Sequence, residues 1–341
     1  MSVKRLCTYV GIMLVAMQLH YNNAYAQGMH FSQYYNAPML LNPANTALTS
    51  DADYRLGVNY RSQWASLPVP FNTFSAFGDF QVLRNRNLTN WLGLGLAMFN
   101  DKAGDGQLAL GRYEGFVAYH IQTGNFSMFS VGGSCAFVQR SVDYSKLSFD
   151  RQWDGFKFDP SLSTDETGYA DKTDFIDVAA GVNYAYYPNE FTYIKLGIGV
   201  SHVNMPKESF YSQNNTIAMR PTANLDAIFV ASETFTINPS LYYTRQATAQ
   251  ELMYGTQIKA YISEDNMGNP TNIIVGLYHR YGDALVGVLG FQWAGVKFVT
   301  SYDFTMSSLS PNIKSNGAIE FALIYEGSYH GDRDKMNCPR F

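Results

Sequence analysis

Charged side chains and cysteines are both scarce in this sequence. Lysine, arginine, aspartate and glutamate together make up 15% of the 341 residues, whereas about 25% is usual for soluble proteins. Three cysteines are too few for a disulfide scaffold. The net charge is −4 and no basic patch is present, which argues against nucleic acid as a partner.

Long apolar runs and catalytic motifs are missing as well. Beyond the N-terminal leader, no stretch has the roughly 18 consecutive apolar residues that indicate a membrane-spanning helix. The six histidines form no metal-ligand spacing, and no nucleophile elbow is present. "GLGLAM" (93–98) and "GIGVSH" (197–202) lack the third glycine and the helix of a phosphate site. We therefore expect no catalytic residue, cofactor or metal, and a protein that is not an enzyme.

The first 26 residues are predicted to be a secretory signal peptide. Two basic residues precede a mostly apolar stretch from Leu6 to Leu19, and Ala24 and Ala26 supply the small residues of a cleavage site. The apolar stretch is shorter than the roughly 20 residues that cross a bilayer, which disfavours an N-terminal anchor helix. We expect export, with cleavage before Gln27.

Aromatic residues are abundant, and they occur in alternating patterns. They make up 15% of the chain, with 25 Tyr and 23 Phe. From Tyr54 onward, polar and apolar residues alternate with a period of two, as in "RLGVNYRSQ" (55–63). The runs have about ten residues, the length that crosses a bilayer as a tilted strand. The pattern predicts an all-β, transmembrane antiparallel β-barrel; the alternative is a soluble β-sandwich or propeller with one solvated face.

The barrel is predicted to occupy residues 54–329 and to have about 14 strands, an even number as single-chain bacterial barrels usually have. The predicted strands are 54–64, 72–83, 91–100, 107–121, 125–140, 174–187, 191–203, 217–231, 235–246, 250–262, 272–281, 284–293, 296–307 and 317–329.

The lengths of the connections predict an orientation in the outer membrane of a Gram-negative bacterium. Short turns alternate with longer loops, and outer-membrane barrels place the short turns in the periplasm. Both termini are then periplasmic, including a polar tail at 330–341. Two links depart from this alternation: 282–283 is short where a loop is expected, and 263–271 is long where a turn is expected. These departures leave open a missed or added hairpin.

The period of two also assigns side chains to the two faces of the barrel. Closure of the sheet pairs every backbone group, which an open edge in hydrocarbon cannot do. Arg61, Gln63, Lys297 and Asp303 are predicted to face a wet lumen, whereas Cys135 faces lipid. Because Cys338 lies in the polar tail, we do not expect it to form a disulfide with Cys135.

Residues 27–53 precede the first strand and have no clean period. The stretch "HFSQYYNAPMLLNPANTAL" (30–48) combines aromatic residues, asparagines and two prolines. Its aromatic side chains are costly to leave in water, and its asparagines need hydrogen-bond partners. We therefore predict that this segment either folds into the barrel mouth as a plug or docks on a periplasmic partner. The alternative is a leader that only connects to the first strand.

Three short motifs resemble the PorP/SprF family of type IX secretion system outer-membrane proteins. The family has an F-[ST]-Q-Y stretch, then N-P-A, then a Y-R-x-Q-W strand. The matching residues in this sequence are Phe31, Ser32, Gln33 and Tyr34, then Asn42, Pro43 and Ala44, then Tyr60, Arg61, Gln63 and Trp64. The family often continues with Tyr-Ala-Gly, and this chain departs there with Asn45-Thr46-Ala47.

The resemblance implies a function that composition and spacing do not. It implies a non-enzymatic outer-membrane component of the type IX secretion and gliding machinery, which supports the export or surface attachment of cargo such as adhesins. Its partners would be secretion-machinery proteins, cargo with an adhesin-type C-terminal domain, and outer-membrane lipid. The alternative function is an outer-membrane transport barrel for small hydrophobic or polar solutes, with lumen side chains that select the solute.

Overall fold

A computed structural model describes ten parts of the chain. They are residues 31–49, 52–65, 70–85, 89–104, 106–166, 168, 170–211, 215–264, 270–307 and 316–329. The predicted signal peptide (1–26), the C-terminal tail (330–341) and Cys338 lie outside these described residues.

Fourteen antiparallel strands form one closed barrel, in which each strand pairs with its neighbours in sequence and β14 pairs with β1. Their bounds are β1 Tyr54–Gln63, β2 Phe71–Val82, β3 Asn90–Ala103, β4 Leu108–Gly124, β5 Ser127–Ser141, β6 Lys172–Asn189, β7 Thr192–Ser201, β8 Arg220–Val230, β9 Phe235–Gln246, β10 Ala249–Glu264, β11 Pro270–Arg280, β12 Ala284–Trp293, β13 Val296–Thr305 and β14 Asn316–Gly327.

The predicted fold class and strand count are confirmed, and each strand begins and ends within three residues of its predicted bounds. The pattern located the strands because alternation persists over the whole length of each of them. The short link between β11 and β12 and the longer link between β10 and β11 are both present. Among the described residues, no hairpin is missing from or added to the predicted set, so these two departures from the alternation of loop lengths are features of the fold.

The barrel has two distinct ends. At one end β1 begins at Tyr54 and β14 stops at Gly327, and we call it the start end. At the other end lie the two longest connections, 142–171 and 202–219, and we call it the loop end. Odd-numbered strands run from the start end to the loop end.

Apolar side chains cover the outer face of the barrel. In β1, Leu56, Val58 and Tyr60 are about 40% exposed, whereas the alternating Arg55 and Arg61 are buried inside. Cys135 is also on the exposed outer face. Within the described residues, no helix is long and apolar enough to cross a membrane.

The lumen contains part of the chain itself. Residues 31–49, here named the inner segment, lie inside the barrel and are almost entirely buried. Apolar lumen residues pack around Tyr34 and Met39 of this segment, and they include Phe77, Tyr242, Met253, Tyr278, Val286, Val299 and Ile324. The lumen is therefore less polar than the sequence predicted, because the apolar side chains of the inner segment need apolar partners.

We expect an arginine on the outer face to destabilise the barrel more in the middle of the membrane than near its surface. Leu289 lies in the middle of β12 and is 58% exposed, and arginine at the bilayer centre costs about 2–4 kcal/mol. Leu289→Arg should therefore lower the folded fraction, measured by the heat-dependent gel mobility of membrane fractions. The control is Met306→Arg just beyond β13, where the cost near an interface is about 0–1 kcal/mol. Equal losses at both positions would contradict the depth assigned to Leu289.

Candidate functional site

The inner segment runs through the lumen from the loop end to the start end. Phe31 stacks on Phe99 of β3, with ring centroids 6.0 Å apart. Ala47 accepts a hydrogen bond from Trp91 Nε1 of the same strand, at 3.0 Å. Phe99 and Trp91 are eight residues apart, which is about 26 Å along a strand. The inner segment therefore spans most of the height of the barrel.

Phe31 and the last described residue, Tyr329, lie towards opposite ends of the barrel. Phe31 is near the loop end, whereas Tyr329 bonds to Asp53 and Gln81 at the start end. The chain termini are outside the described residues, so the expectation that both are periplasmic stays a prediction.

Prolines explain why the inner segment is neither a long helix nor a strand. It forms three short 3₁₀ turns, at Tyr34–Asn36, Pro38–Leu40 and Pro43–Asn45. Pro38 and Pro43 each begin a turn, where the missing N–H is not needed. The Asn42 side chain caps the third turn by accepting a hydrogen bond from Ala44 N at 3.0 Å. The backbone of the segment is thus partly satisfied by local bonds, and the rest must bond to the barrel wall.

A cluster of buried charges holds the segment near the loop end. We name it the charge cluster, and it comprises Arg61, Glu251, Arg280, Asp303 and Glu320, which are 0–7% exposed. Arg61 pairs with Asp303 at 3.0 Å and with Glu320 at 3.1 Å. Arg280 pairs with Asp303 at 3.2 Å and with Glu251 at 3.3 Å. Two guanidinium groups thus face three carboxylates.

Ser32 lies at the centre of this cluster. Its hydroxyl oxygen is 2.7 and 2.9 Å from the two carboxylate oxygens of Asp303 and accepts from Arg61 and Arg280 at 2.7 and 2.6 Å. Its backbone N–H donates to Glu320 at 2.9 Å. One small residue therefore connects strands β1, β11, β13 and β14, the last through its backbone N–H.

Gln33 completes the contact with Glu320. Its backbone N–H donates to the Glu320 carboxylate at 3.1 Å, and its side-chain amide donates to Ser301 Oγ and to the Glu320 carbonyl, both at 3.0 Å. Hydrogen bonds from several N–H groups offset part of the cost of burying a carboxylate. The inner segment therefore supplies donors that the excess negative charge of the cluster needs.

Aromatic stacking anchors the middle of the inner segment. Tyr34 packs edge-to-face on Tyr242, with centroids 4.6 Å apart, and bonds to Ser240 Oγ at 2.7 Å. Tyr35 stacks on Tyr278 at 5.2 Å. Such pairs contribute about 0.5–1.5 kcal/mol each beyond the burial of their area.

Asparagines fix the segment to β6 and β7. Asn42 Nδ2 donates to Asn183 Oδ1 at 2.9 Å, and Asn183 Nδ2 donates to Asn45 Oδ1 at 2.9 Å. Lys195 donates to the same Asn45 oxygen at 2.9 Å and pairs with Asp226 at 3.4 Å. These bonds satisfy asparagines that are fully buried.

At the start end, the backbone of the segment is bound by side chains of β2, β3 and β4. Ala47 N donates to Asp79 at 2.7 Å, and Asp79 is held by the Arg55 guanidinium at 2.6 and 3.1 Å. His120 bonds through Nε2 to the Thr46 carbonyl at 2.8 Å. The barrel wall thus forms hydrogen bonds with the backbone of the inner segment as well as with its side chains.

Glycines of the wall make room for this backbone. A Cβ at Gly132 of β5 would lie 2.6 Å from the Pro43 carbonyl oxygen and 2.7 Å from Ala44 N. A Cβ at Gly93 of β3 would lie 2.3 Å from the Thr46 carbonyl oxygen. The alternating glycines of "GLGLAM" therefore serve as close-approach positions for the inner segment.

The inner segment divides the remaining space of the lumen in two. A cavity of about 290 Å³ lies towards the start end, and its walls include Arg55, Trp91 and Lys297. A cavity of about 390 Å³ lies towards the loop end, and its walls include Phe99, Arg112 and Arg220. Tyr34 and Leu41 line both cavities, so this part of the segment separates them.

The structure brings together most of the residues that the sequence singled out. Phe31, Ser32, Gln33, Tyr34, Asn42, Pro43 and Ala44 all belong to the inner segment inside the lumen. Arg61 and Asp303 bind Ser32, Gln63 accepts a bond from Arg61 at 3.4 Å, and Lys297 lines the start-end cavity.

Sequence reasoning missed Arg280, Glu251, Asp79 and His120, and it missed the role of the glycines. Arg280 and Asp79 lie on polar faces of alternating strands, but that pattern alone does not single them out from other lumen residues. Among the described residues, no group of three His, Cys, Asp or Glu side chains could hold a metal ion.

Removal of Arg61 should destabilise the folded protein strongly. Arg61→Met leaves Asp303 and Glu320 buried with one cation fewer, and breaking a buried pair costs about 3–5 kcal/mol. The measurement is urea unfolding of the protein in lipid vesicles. The double variant Arg61→Met/Glu320→Gln should lose less than the sum of the two single variants, because the two side chains are coupled.

Arg151→Met is the matched control for Arg61→Met. Arg151 pairs with Asp165 at 3.2 Å, but both side chains are more than half exposed, and such pairs contribute about 0–1 kcal/mol. A similar loss of stability in Arg61→Met and Arg151→Met would contradict the importance of the charge cluster.

A methyl group at Gly132 should loosen the inner segment. Gly132→Ala forces the Pro43–Ala44 backbone away from β5, and such overpacking costs about 1–3 kcal/mol. The measurement is hydrogen exchange of the amides at residues 39–47, which should become faster. Gly287→Ala is the control, because a Cβ there meets nothing within 4 Å. If both variants exchange like the parent protein, the close approach at Gly132 does not hold the segment.

Structural comparison finds similar barrels. The toluene transporter TbuX of Ralstonia pickettii is 8% identical with a TM-score of 0.54, over 86% of this chain and 94% of that chain. The toluene transporter TodX of Pseudomonas putida is 9% identical with a TM-score of 0.53, over 90% and 95%. A FadL homologue of Pseudomonas aeruginosa is 9% identical with a TM-score of 0.51, over 84% and 92%. At these identities the likeness shows the fold of an outer-membrane barrel and nothing further.

Sequence comparison shows the family. No curated protein matches significantly. The model of a family described as "Type IX secretion system membrane protein PorP/SprF" matches residues 23–325, which include the inner segment and almost the whole barrel. The resemblance seen in residues 31–44 and 60–64 is thereby confirmed. This outer-membrane β-barrel belongs to the PorP/SprF family of type IX secretion system membrane proteins.

Proposed function

We propose that the protein is a non-enzymatic component of the type IX machinery that supports the export or surface attachment of cargo proteins such as adhesins. Its partners in this proposal are other proteins of the secretion machinery and cargo with an adhesin-type C-terminal domain. Membership in the family supports a role in type IX secretion; the role in cargo attachment is our proposal.

The proposal rests on one observation: the inner segment fills the middle of the lumen. Its bonds to buried charges, asparagines and aromatic rings make it a firmly held plug. A barrel that is closed in this way is suited to present its two ends to protein partners, rather than to conduct a polypeptide. We therefore propose that it acts as a docking platform, with the plug in place.

We further propose that the start end faces the periplasm and the loop end faces the cell exterior. Outer-membrane barrels have short periplasmic turns and longer outer loops, and the connections 142–171 and 202–219 lie at the loop end. Machinery proteins would then contact the start end, and exported cargo would contact the loops.

The long loop 142–171 offers apolar side chains for such a contact. Phe156 is 93% exposed and Trp153 is 57% exposed. The Asp154 carboxylate accepts from the backbone N–H groups of Phe156 and Lys157, both at 2.8 Å. The turn that carries these side chains is thus ordered, and exposed apolar clusters on ordered loops are typical of protein interaction sites.

A disulfide that locks the plug tests this proposal. A Cβ placed on Gly95 would lie 2.9 Å from Thr46 Cγ2, which suits a disulfide between Thr46→Cys and Gly95→Cys. The pair is made in a Cys135→Ser/Cys338→Ser background and is opened with a reductant. We expect cells with the locked barrel to display cargo on their surface as well as cells with the reduced barrel do, measured by labelling of surface cargo.

The two single-cysteine variants control for effects of the substitutions themselves. If the lock stops cargo display and reduction restores it, the plug must leave the lumen during export, and the platform proposal fails. The same variants test the alternative, transport of a small solute through the lumen. A solute whose uptake stops in the locked barrel and returns on reduction would support that alternative.

A further inference from the structure

The start-end cavity combines two chemical characters. Part of its lining is apolar and aromatic, and includes Tyr35, Leu48, Trp91 and Met128. Another part is cationic, and includes Lys259 and Lys297. At about 290 Å³, the cavity is near the lower limit of ordinary small-molecule sites, which begin at about 300 Å³.

Most charges around this cavity are neutralised by an adjacent partner. Arg55 pairs with Asp79 at 2.6 Å, Arg84 with Asp53 at 2.6 Å, and Lys195 with Asp226 at 3.4 Å. Each of these three cations is therefore already paired with a carboxylate.

Lys259 and Lys297 differ from the other cations of the cavity. Within the described part of the chain, neither ammonium group forms an ion pair or a hydrogen bond with a side chain. Glu326 interacts electrostatically with both of them, and also with Arg55, which is already paired with Asp79. Two ammonium groups thus share one carboxylate, which leaves one positive charge without a counterion in a cavity that is only partly open to solvent.

Two further polar atoms of the cavity are buried without a partner. Tyr35 OH and Asn238 Oδ1 are inaccessible to solvent and bond to no described atom, and both residues line the cavity. Buried polar groups are usually satisfied by protein, water or ligand. They are therefore two polar atoms beside the cavity whose hydrogen-bonding capacity is not used by the described chain.

We infer that the start-end cavity binds a molecule with one carboxylate on an aromatic body. The carboxylate is bound between Lys259 and Lys297, where it compensates the unbalanced positive charge. The ring packs on the apolar part of the lining beside Trp91 and the inner segment. A ligand in this place contacts the barrel and the plug at once, so it stabilises the closed state of the lumen by mass action.

The same chemistry is present in a free aromatic acid and in the C-terminal residue of a peptide. Two probes therefore represent the two sources: phenylacetate for the free acid, and N-acetylphenylalanine for the peptide end. Their neutral amides, phenylacetamide and N-acetylphenylalanine amide, keep the ring and remove the charge. Isothermal titration of the purified full-length protein in a non-ionic detergent measures all four.

We expect at least one acid to bind more tightly than its amide by about tenfold or more. Lys297→Met and Lys259→Met should each weaken the binding of that acid about tenfold, and Lys297→Arg should retain it because the charge remains. Lys172→Met, at the exposed beginning of β6 near the loop end, is the control and should bind like the parent protein. Heat-dependent gel mobility verifies that each variant is folded.

Either of two results overturns the inference. The first is that neither acid binds, or that the acids and amides bind equally, since the ammonium groups would then not select a carboxylate. The second is that Lys297→Met and Lys259→Met, both folded, bind the acid as the parent does. If only N-acetylphenylalanine binds, the natural ligand is a peptide end; if only phenylacetate binds, it is a small acid.

Discussion

Charge that is buried inside the lumen must be paired, and this requirement ties the inner segment to the barrel. Asp303 and Glu320 project from the wall into a region without exposure to solvent. Two arginines of the wall compensate part of their charge, and the N–H groups of Ser32 and Gln33 supply further donors. Desolvated carboxylates are expensive unless they are both paired and hydrogen-bonded. Removal of the segment would therefore leave the wall, as well as the segment, unsatisfied.

The rest of the lumen is shaped around the same segment. The aromatic rings of the segment pack against Tyr242 and Tyr278 of the wall. Where the backbone of the segment approaches the wall closely, the wall has glycine, at positions 93 and 132. Glycine in a strand normally weakens it, because backbone entropy is lost without a side chain to pack. In this barrel the segment supplies the packing atoms that the glycines lack, so wall and plug form one core.

This arrangement separates two kinds of surface. The outer face is apolar and needs no specific partner other than lipid, whereas both ends of the barrel carry charged and aromatic groups next to open space. The plug also makes the two lumen cavities different in character. The loop-end cavity contains Arg112, which is paired with Glu114 and Asp177 at 2.8 and 2.6 Å. The start-end cavity contains two lysines that interact with one carboxylate, Glu326.

The sequence by itself predicted a barrel of about 14 strands, their bounds to within three residues, and the two faces of the alternating side chains. A period of two is a local property, and a bilayer requires a closed sheet with apolar residues outside, so Leu56 and Arg61 had only one possible placement each. The family was also readable from short motifs at 31–44 and 60–64. Prolines at 38 and 43 were enough to exclude a regular helix or strand for the inner segment.

Only the tertiary structure decided where the inner segment lies and what binds it. Ser32 meets Arg280, which is 248 positions away in the chain, and Thr46 meets His120 across 74 positions. No periodicity encodes such contacts, because they depend on the closure of the barrel and on the direction in which the segment crosses it. For the same reason, the sequence alone does not distinguish Gly132 from other strand glycines. Its role is visible only in the folded structure, where the Pro43 carbonyl lies against it.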